Sequence, residues 1–198
     1  MSSPDLVLAT RNAHKVVELT RILGTPLVGL SDFPDIPDVA ETGLTFADNA
    51  LLKAHAVAAA TGLPAVADDS GLCVTALNGM PGILSARWAG KHGDDTANLD
   101  LVLAQMADVP DGARGASFIC VAALALPSGQ AWTVTGVLNG SLTRAPRGSG
   151  GFGYDPIFVP DGSSLTTAEL SPDEKDAISH RGRAFRALAP VIADNVKP

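Results

Sequence analysis

The chain has 198 residues, 46% of them hydrophobic, and a formal net charge of −7 from 14 Lys and Arg against 21 Asp and Glu. That length suits one domain, or one domain built as two lobes, with enough apolar residues to fold without disulfide staples. The acidic balance argues against a protein that coats nucleic acid, while leaving room for a small anion in a local basic pocket.

The start, MSSPDLVLATRN, has no cationic region leading an apolar stretch, so no signal peptide is expected. DLVLAT (5–10) is a short apolar run that reads as a buried strand. Asn12 then opens a helix with the apolar stripe Val16, Leu19, Ile22 and Leu23, closed by Gly24. PLVGL reads as a second short strand. Thr45-x-x-Asp48 resembles a capping box and leads the Ala-rich helix FADNALLKAHAVAAAT, which Gly62 and Pro64 end. PAVADD and LCVTAL follow as strands, and a helix near 95–107 carries Leu99, Val102, Leu103 and Met106 on one face.

SFICVAALAL and QAWTVTGVLNG are separated by Pro127-Ser128-Gly129, and in the second Trp132, Val134 and Leu138 alternate with Thr133 and Thr135, a period of two that predicts an antiparallel hairpin. Cys73, in GLCVTAL, and Cys120, in SFICVAALAL, read as core packing. The longest apolar run, near 118–126, is far short of the roughly 20 residues that span a bilayer. No membrane partner is expected, and the cytoplasm is the simple location. A last helix from about Arg181 shows Phe185, Leu188, Ala189 and Ile192. Strand–helix alternation with an inserted hairpin predicts an α/β fold around a mixed sheet.

Five segments carry candidate chemistry. Thr10-Arg11-Asn12-Ala13-His14-Lys15 lies at a strand-to-helix junction, where free N–H groups and a positive dipole end attract anions; alternatively, Asn12 merely caps the helix. Glu41-Thr42-Gly43 precedes Asn49 and Lys53, an i, i+4 polar pair that could equally be a solvated helix face. Asp68-Asp69-Ser70 ends an apolar strand, where adjacent carboxylates hold their charge best beside a cation such as Mg²⁺; the alternative is an Asx-type turn entering a hairpin.

Gly148, Gly150 and Gly153 form a literal G-x-G-x-x-G, but no helical pattern follows Pro156, so it is not a dinucleotide fingerprint. What remains is a pliable loop offering Phe152, Tyr154 and Asp155 to a flat base, or a turn with Phe152 in the core. Ser179 is a sensible cap, but His180 and Arg181 oppose the dipole of the last helix, with Lys175 just before them. Their placement calls for another cause, such as recognition of an oxygen-rich ligand. Phosphate donors, a magnesium site, a stacking surface and cationic donors together describe a nucleotide hydrolase.

LATRNAHK, ETGLTFADNALLKA, PAVADDSGL, GMPGILSARWAG, GGFGYDPIF and SHRGRAFRAL, in this order, closely resemble the inosine triphosphate pyrophosphatase family from about Leu6 to Leu188. The resemblance implies one α/β domain over 1–198, with a mixed twisted sheet, flanking helices and two lobes around a long cleft. It also implies a homodimer and Mg²⁺-dependent hydrolysis of ITP, dITP and XTP to monophosphate and pyrophosphate, removing deaminated purines from the nucleotide pool. On it, Thr10 through Lys15 form the triphosphate loop, Lys53 faces the phosphates, and Glu41 and Asp69 hold the metal beside Asp68. Asp69 is also the base, and Ser70 contacts substrate. Phe152, Gly153, Tyr154, Asp155, Lys175, His180 and Arg181 bind the nucleobase. The family often has Gly where this chain has Arg11 and His14, so Arg11 either adds a phosphate contact or points to solvent. A related pyrophosphatase for modified pyrimidine or methylated nucleotides and a non-hydrolysing nucleotide sensor are the rival readings.

Overall fold

The structure, a computed structural model, describes residues 6–23 and 27–196, without the side chains of residues 13, 14 and 23. Gly24, the expected stop of the first helix, and the side chains of Ala13, His14 and Leu23 therefore lie outside the described residues. The elements are β1 (Val7–Leu8), α1 (Ala13–Leu23), β2 (Val28–Gly29), α2 (Phe46–Thr61), β3 (Ala65–Val74), α3 (Asp95–Gln105), β4 (Gly115–Ala125), β5 (Ala131–Leu142), β6 (Phe158–Pro160), α4 (Pro172–Ile178) and α5 (His180–Asn195). The strands form one mixed sheet in the order β2-β1-β3-β4-β5-β6. β1 runs parallel to β2 and β3, while β5 and β6 are antiparallel.

The chain forms two compact units. The first comprises Met1–Asp69, Cys120–Gly136 and Arg181–Pro198; the second comprises Ser70–Ile119 and Val137–His180. In the first, strand alternation sorts the core into two faces. Val7, Ala9, Ala65, Ala67, Val121, Ala123 and Ala125 pack with Ala50, Ala54, Val57 and Ala58 of α2. Their neighbours Leu8, Val66, Cys120, Ala122 and Leu124 pack with Leu19 of α1 and Ala184, Phe185 and Leu188 of α5. Successive side chains leave a strand on opposite sides, so each helix layer meets every second residue.

The small residues of α2 let it lie close to the strands, and its ends are locally determined. The Thr45 hydroxyl accepts from Asp48 N–H at 3.1 Å while Asp48 Oδ2 accepts from Thr45 N–H at 3.1 Å. Such a cap contributes about 1 kcal/mol. Gly62 closes the helix in the left-handed conformation, φ 68°.

The second unit packs Leu99 and Val102 of α3, with Met106 at its C-terminal cap, against Leu72, Val74, Ala116, Phe118, Leu138, Leu142 and Phe158. Its strand β5 needs glycine at position 140, where a Cβ would stand 2.2 Å from Val159 O.

Three expectations are corrected. PAVADD and LCVTAL are one strand, not two, because β3 runs unbroken through Asp68, Asp69 and Ser70. The 5–10 run contributes only Val7–Leu8 as strand within the described residues. A further helix, α4, precedes α5, and Ser171 starts it with a capping box to Glu174 and Pro172 in its first turn. No helix among the described residues is long and apolar enough to cross a membrane.

Candidate active site

Because β3 is continuous, its two adjacent carboxylates leave on opposite faces. Asp68 shares the side of Val66 and meets α1 and α5. Both its oxygens lie 3.0 Å from Lys15 Nζ, and Oδ2 also accepts from Arg181 Nε at 3.3 Å and from the Cys120 thiol at 3.9 Å. Arg181 in turn donates to Glu18 Oε2 at 2.6 Å. Asp68, Arg181 and Glu18 are all buried. Burial alone would lower the Arg181 pKa, but Asp68 and Glu18 outweigh it and hold the guanidinium charged.

Asp69 shares the other side, that of Ala65 and Ala67, and meets α2. Asn49 Nδ2 donates to Asp69 Oδ2 at 3.0 Å, and Lys53 Nζ stands 3.9 Å from Oδ1. The same ammonium donates to Glu41 Oε1 at 2.6 Å. Asn49 is fully buried, and its other end accepts from Gly43 N–H at 2.8 Å, fixing the loop that carries Glu41. The i, i+4 pair is therefore not a solvated face. Burial pushes the Asp69 carboxyl above its usual range; Lys53 opposes this, Glu41 adds to it, and the Asn49 donor opposes it again. Burial would lower the Lys53 pKa, but Asp68, Asp69 and Glu41 together raise it.

This donor set fits a hard divalent cation. Glu41 and Asp69 lean on one ammonium, and the charge of Glu41 already disfavours the ionised form of Asp69. Among the described residues no three or more His, Cys, Asp or Glu gather into a metal-binding group. Mg²⁺ is commonly held by one or two carboxylates, with substrate phosphates and water completing its shell.

At the start of α1, Asn12 Oδ1 accepts from Lys15 N–H at 3.3 Å, and Asn12 N–H donates to the Thr10 hydroxyl at 3.1 Å. Asn12 thus caps the helix in a turn whose backbone could also receive an anion. Arg11 contacts Asp38 and the carbonyls of Leu30 and Ile36.

In the second unit Asp155 organises the glycine-rich loop. Its Oδ2 accepts from Phe152 N–H at 2.8 Å and Lys175 Nζ at 2.5 Å; its Oδ1 accepts from the Thr167 hydroxyl at 2.8 Å. Gly151 is required there: its φ is +70°, and a Cβ would lie 2.1 Å from Asp155 Oδ2. Lys175 Nζ sits 5.0 Å from the Phe152 ring centroid, a cation–π contact. Gly153 N–H donates to Asp95, and the buried Tyr154 hydroxyl donates to Ser85 O at 2.8 Å. Burial, reinforced by Asp95, raises the Tyr154 pKa. Phe152 and Gly153, with Asp95 and Leu99, line a cavity of about 350 Å³.

His180 and Arg181, neighbours in sequence, have different surroundings. The His180 ring stacks on Phe118 at 4.9 Å within the second unit. Arg181 belongs to the first unit, held by Glu18 and Asp68. Its place at a helix start is thus explained by buried carboxylates. Ser70, half-buried, is the residue at which β3 enters the second unit.

Sequence reasoning missed Glu18 and Thr167. Glu18 lies beside Leu19 in α1, and nothing local marks it as a partner for a residue 163 positions away. Thr167, fully enclosed, looks like any loop threonine until the chain brings it to Asp155.

The Ham1 family model matches residues 6–191. A dITP/XTP pyrophosphatase of Streptomyces coelicolor is 66% identical over 194 residues, covering 96% of this chain and 97% of that protein. The crystal structure of a nucleoside-triphosphatase / dITP/XTP pyrophosphatase from Mycobacterium abscessus superposes with a TM-score of 0.77 at 56% identity, covering 93% of this chain and 98% of the other. A HAM1 protein from Coxiella burnetii gives 0.88 at 43% identity, covering 97% and 100%.

Proposed function

The chain belongs to the Ham1 family, and from that premise we propose that it hydrolyses non-standard purine nucleoside triphosphates (ITP, dITP and XTP) to the monophosphate and pyrophosphate. The observation that carries the reading is the pair Glu41 and Asp69 around Lys53, with Asn49 bonded to both the Glu41 loop and Asp69. Streptomyces and mycobacterial relatives named for dITP and XTP supply the substrate class.

Glu41 and Asp69 would hold Mg²⁺, which supplies Lewis-acid charge to the phosphate oxygens when bound. Asp69 takes the proton of a water attacking the α-phosphorus. Its buried carboxyl, raised in proton affinity, suits a base, and Asn49 fixes which oxygen is presented. Lys15, Lys53, the Thr10 hydroxyl and the N–H groups at Ala13 and His14 receive the charge of the departing pyrophosphate, in the turn that Asn12 caps. Ser70 adds a substrate contact beside the base. In the second unit Phe152 offers a stacking face, with Gly153, Tyr154 and Asp155 shaping the loop and Lys175 and His180 supplying donors near it. Arg181 acts through Asp68, to which its side chain is committed. We further propose, on the family resemblance, that 1–198 works as one catalytic domain, in the cytoplasm and as a homodimer; light scattering on the purified protein tests the dimer.

Turnover of ITP, XTP, GTP and ATP, with Mg²⁺ and with EDTA, tests the main reading. ITP and XTP should release pyrophosphate without early orthophosphate, and EDTA should abolish turnover. Full activity in EDTA would remove the carboxylate–magnesium assignment, and orthophosphate appearing first would place the attack at the γ end.

A further inference from the structure

Residues 33–45, which carry Glu41, contain no helix or strand. A stretch of this length keeps one shape only if side chains tie it down. Downstream, Gly43 is held by Asn49 and Glu41 by Lys53. Phe33 and Ile36 contribute apolar anchors against the α2 side of the core.

Upstream the tie is Arg11. Its Nη1 donates to Leu30 O at 3.0 Å, its Nη2 to Ile36 O, and its Nε to Asp38 Oδ1 at 2.8 Å. Leu30 N–H also donates to Thr10 O at 3.1 Å, so the Thr10–Arg11 backbone and side chain together grip the segment. A planar guanidinium with five donors can serve three diverging acceptors; an ammonium on a flexible stem cannot hold them in one geometry. The Asp38 side chain is 83% exposed, so that ion pair is weakly stabilising, and the two carbonyls make the grip directional.

We propose that Arg11 is a positioning residue: it ties the turn that starts α1 to the segment bearing Glu41 and thereby sets where that carboxylate sits for a divalent cation. Three of its five N–H donors are taken up by Asp38 Oδ1, Leu30 O and Ile36 O, so it acts through the segment it ties rather than as a phosphate ligand. The metal part of this inference rests on the pyrophosphatase reading; the tie does not.

Two measurements on Arg11→Ala, Arg11→Lys and Asp38→Asn test it. In metal-free protein, amide hydrogen exchange over 33–43 should rise in Arg11→Ala, rise less in Arg11→Lys, and change least in Asp38→Asn. In the ITP assay, half-activating Mg²⁺ should increase about tenfold in Arg11→Ala, as expected for an outer support of a metal ligand. Excess Mg²⁺ should restore kcat, with KM for ITP at saturating metal within about twofold of the parent. Unchanged exchange over 33–43 would overturn the tie. A raised KM for ITP at every Mg²⁺ concentration, without rescue, would make Arg11 a phosphate ligand and overturn the assignment. If the parent protein turns over no triphosphate, the pyrophosphatase reading fails, and the exchange arm still decides the tie.

Discussion

The two units place charge in opposite ways. In the first, polar side chains from distant parts of the chain neutralise one another: Lys15, Lys53 and Arg181 face Glu18, Glu41, Asp68 and Asp69. In the second, one carboxylate, Asp155, gathers Phe152 N–H, Lys175 and Thr167 and so shapes a loop. A cluster of mutually paired charges can exchange partners with an anionic ligand and a cation, which is what phosphate chemistry requires. A braced loop with an aromatic face suits selection of a flat group. Changes in the first unit should therefore act on kcat and on all triphosphates alike, and changes in the second on the choice of base.

The largest test of that division is Asp69→Asn. It removes the proposed base and a proposed metal charge at nearly constant shape, so kcat should fall by at least about a hundredfold while thermal melting stays close to the parent's. Near-normal turnover would move the base elsewhere and break the comparison at its centre. Arg181→Ala comes next. It leaves Glu18 and Asp68 buried without their shared cation, a change that typically destabilises by about 3–5 kcal/mol. Surviving activity should fall by the same factor for ITP and ATP. A narrowed ITP-to-ATP ratio would instead transfer Arg181 to base reading, despite its place in the first unit. The smallest effect is expected from Thr167→Val, which deletes one hydroxyl donor to Asp155. KM for ITP should rise about threefold with kcat little changed, the scale of one lost hydrogen bond. A kcat loss exceeding the KM change would mean that the loop serves the chemical step.

Local signals reported local structure well. The Thr45–Asp48 box and Gly62 delimit α2 as the sequence predicts, because caps involve residues only a few positions apart. α4 carries the same kind of local signal in Ser171, Pro172 and Glu174. The discounted G-x-G-x-x-G does not open a helix; its loop ends in a short 3₁₀ turn at Asp155–Ile157. Asn49 shows the limit of periodicity. Its spacing from Lys53 was visible, but only its burial shows that it fixes Asp69 rather than facing water.

By itself the sequence determined the residue types available for chemistry, the α/β alternation and the caps, all of which depend on neighbours along the chain. Tertiary structure decided how those residues divide. Whether Asp68-Asp69 formed a turn or part of a strand turned on the place of β3 in the sheet, between β1 and β4, neighbours that lie far from it along the chain. Once the strand continues, its pleat sends Asp68 toward Lys15 and Arg181, and Asp69 toward Asn49 and Lys53. The partners of Arg181 lie 113 and 163 residues away. No periodicity spans such a separation, so the buried ion pairs that hold Arg181 could be read only from the folded chain.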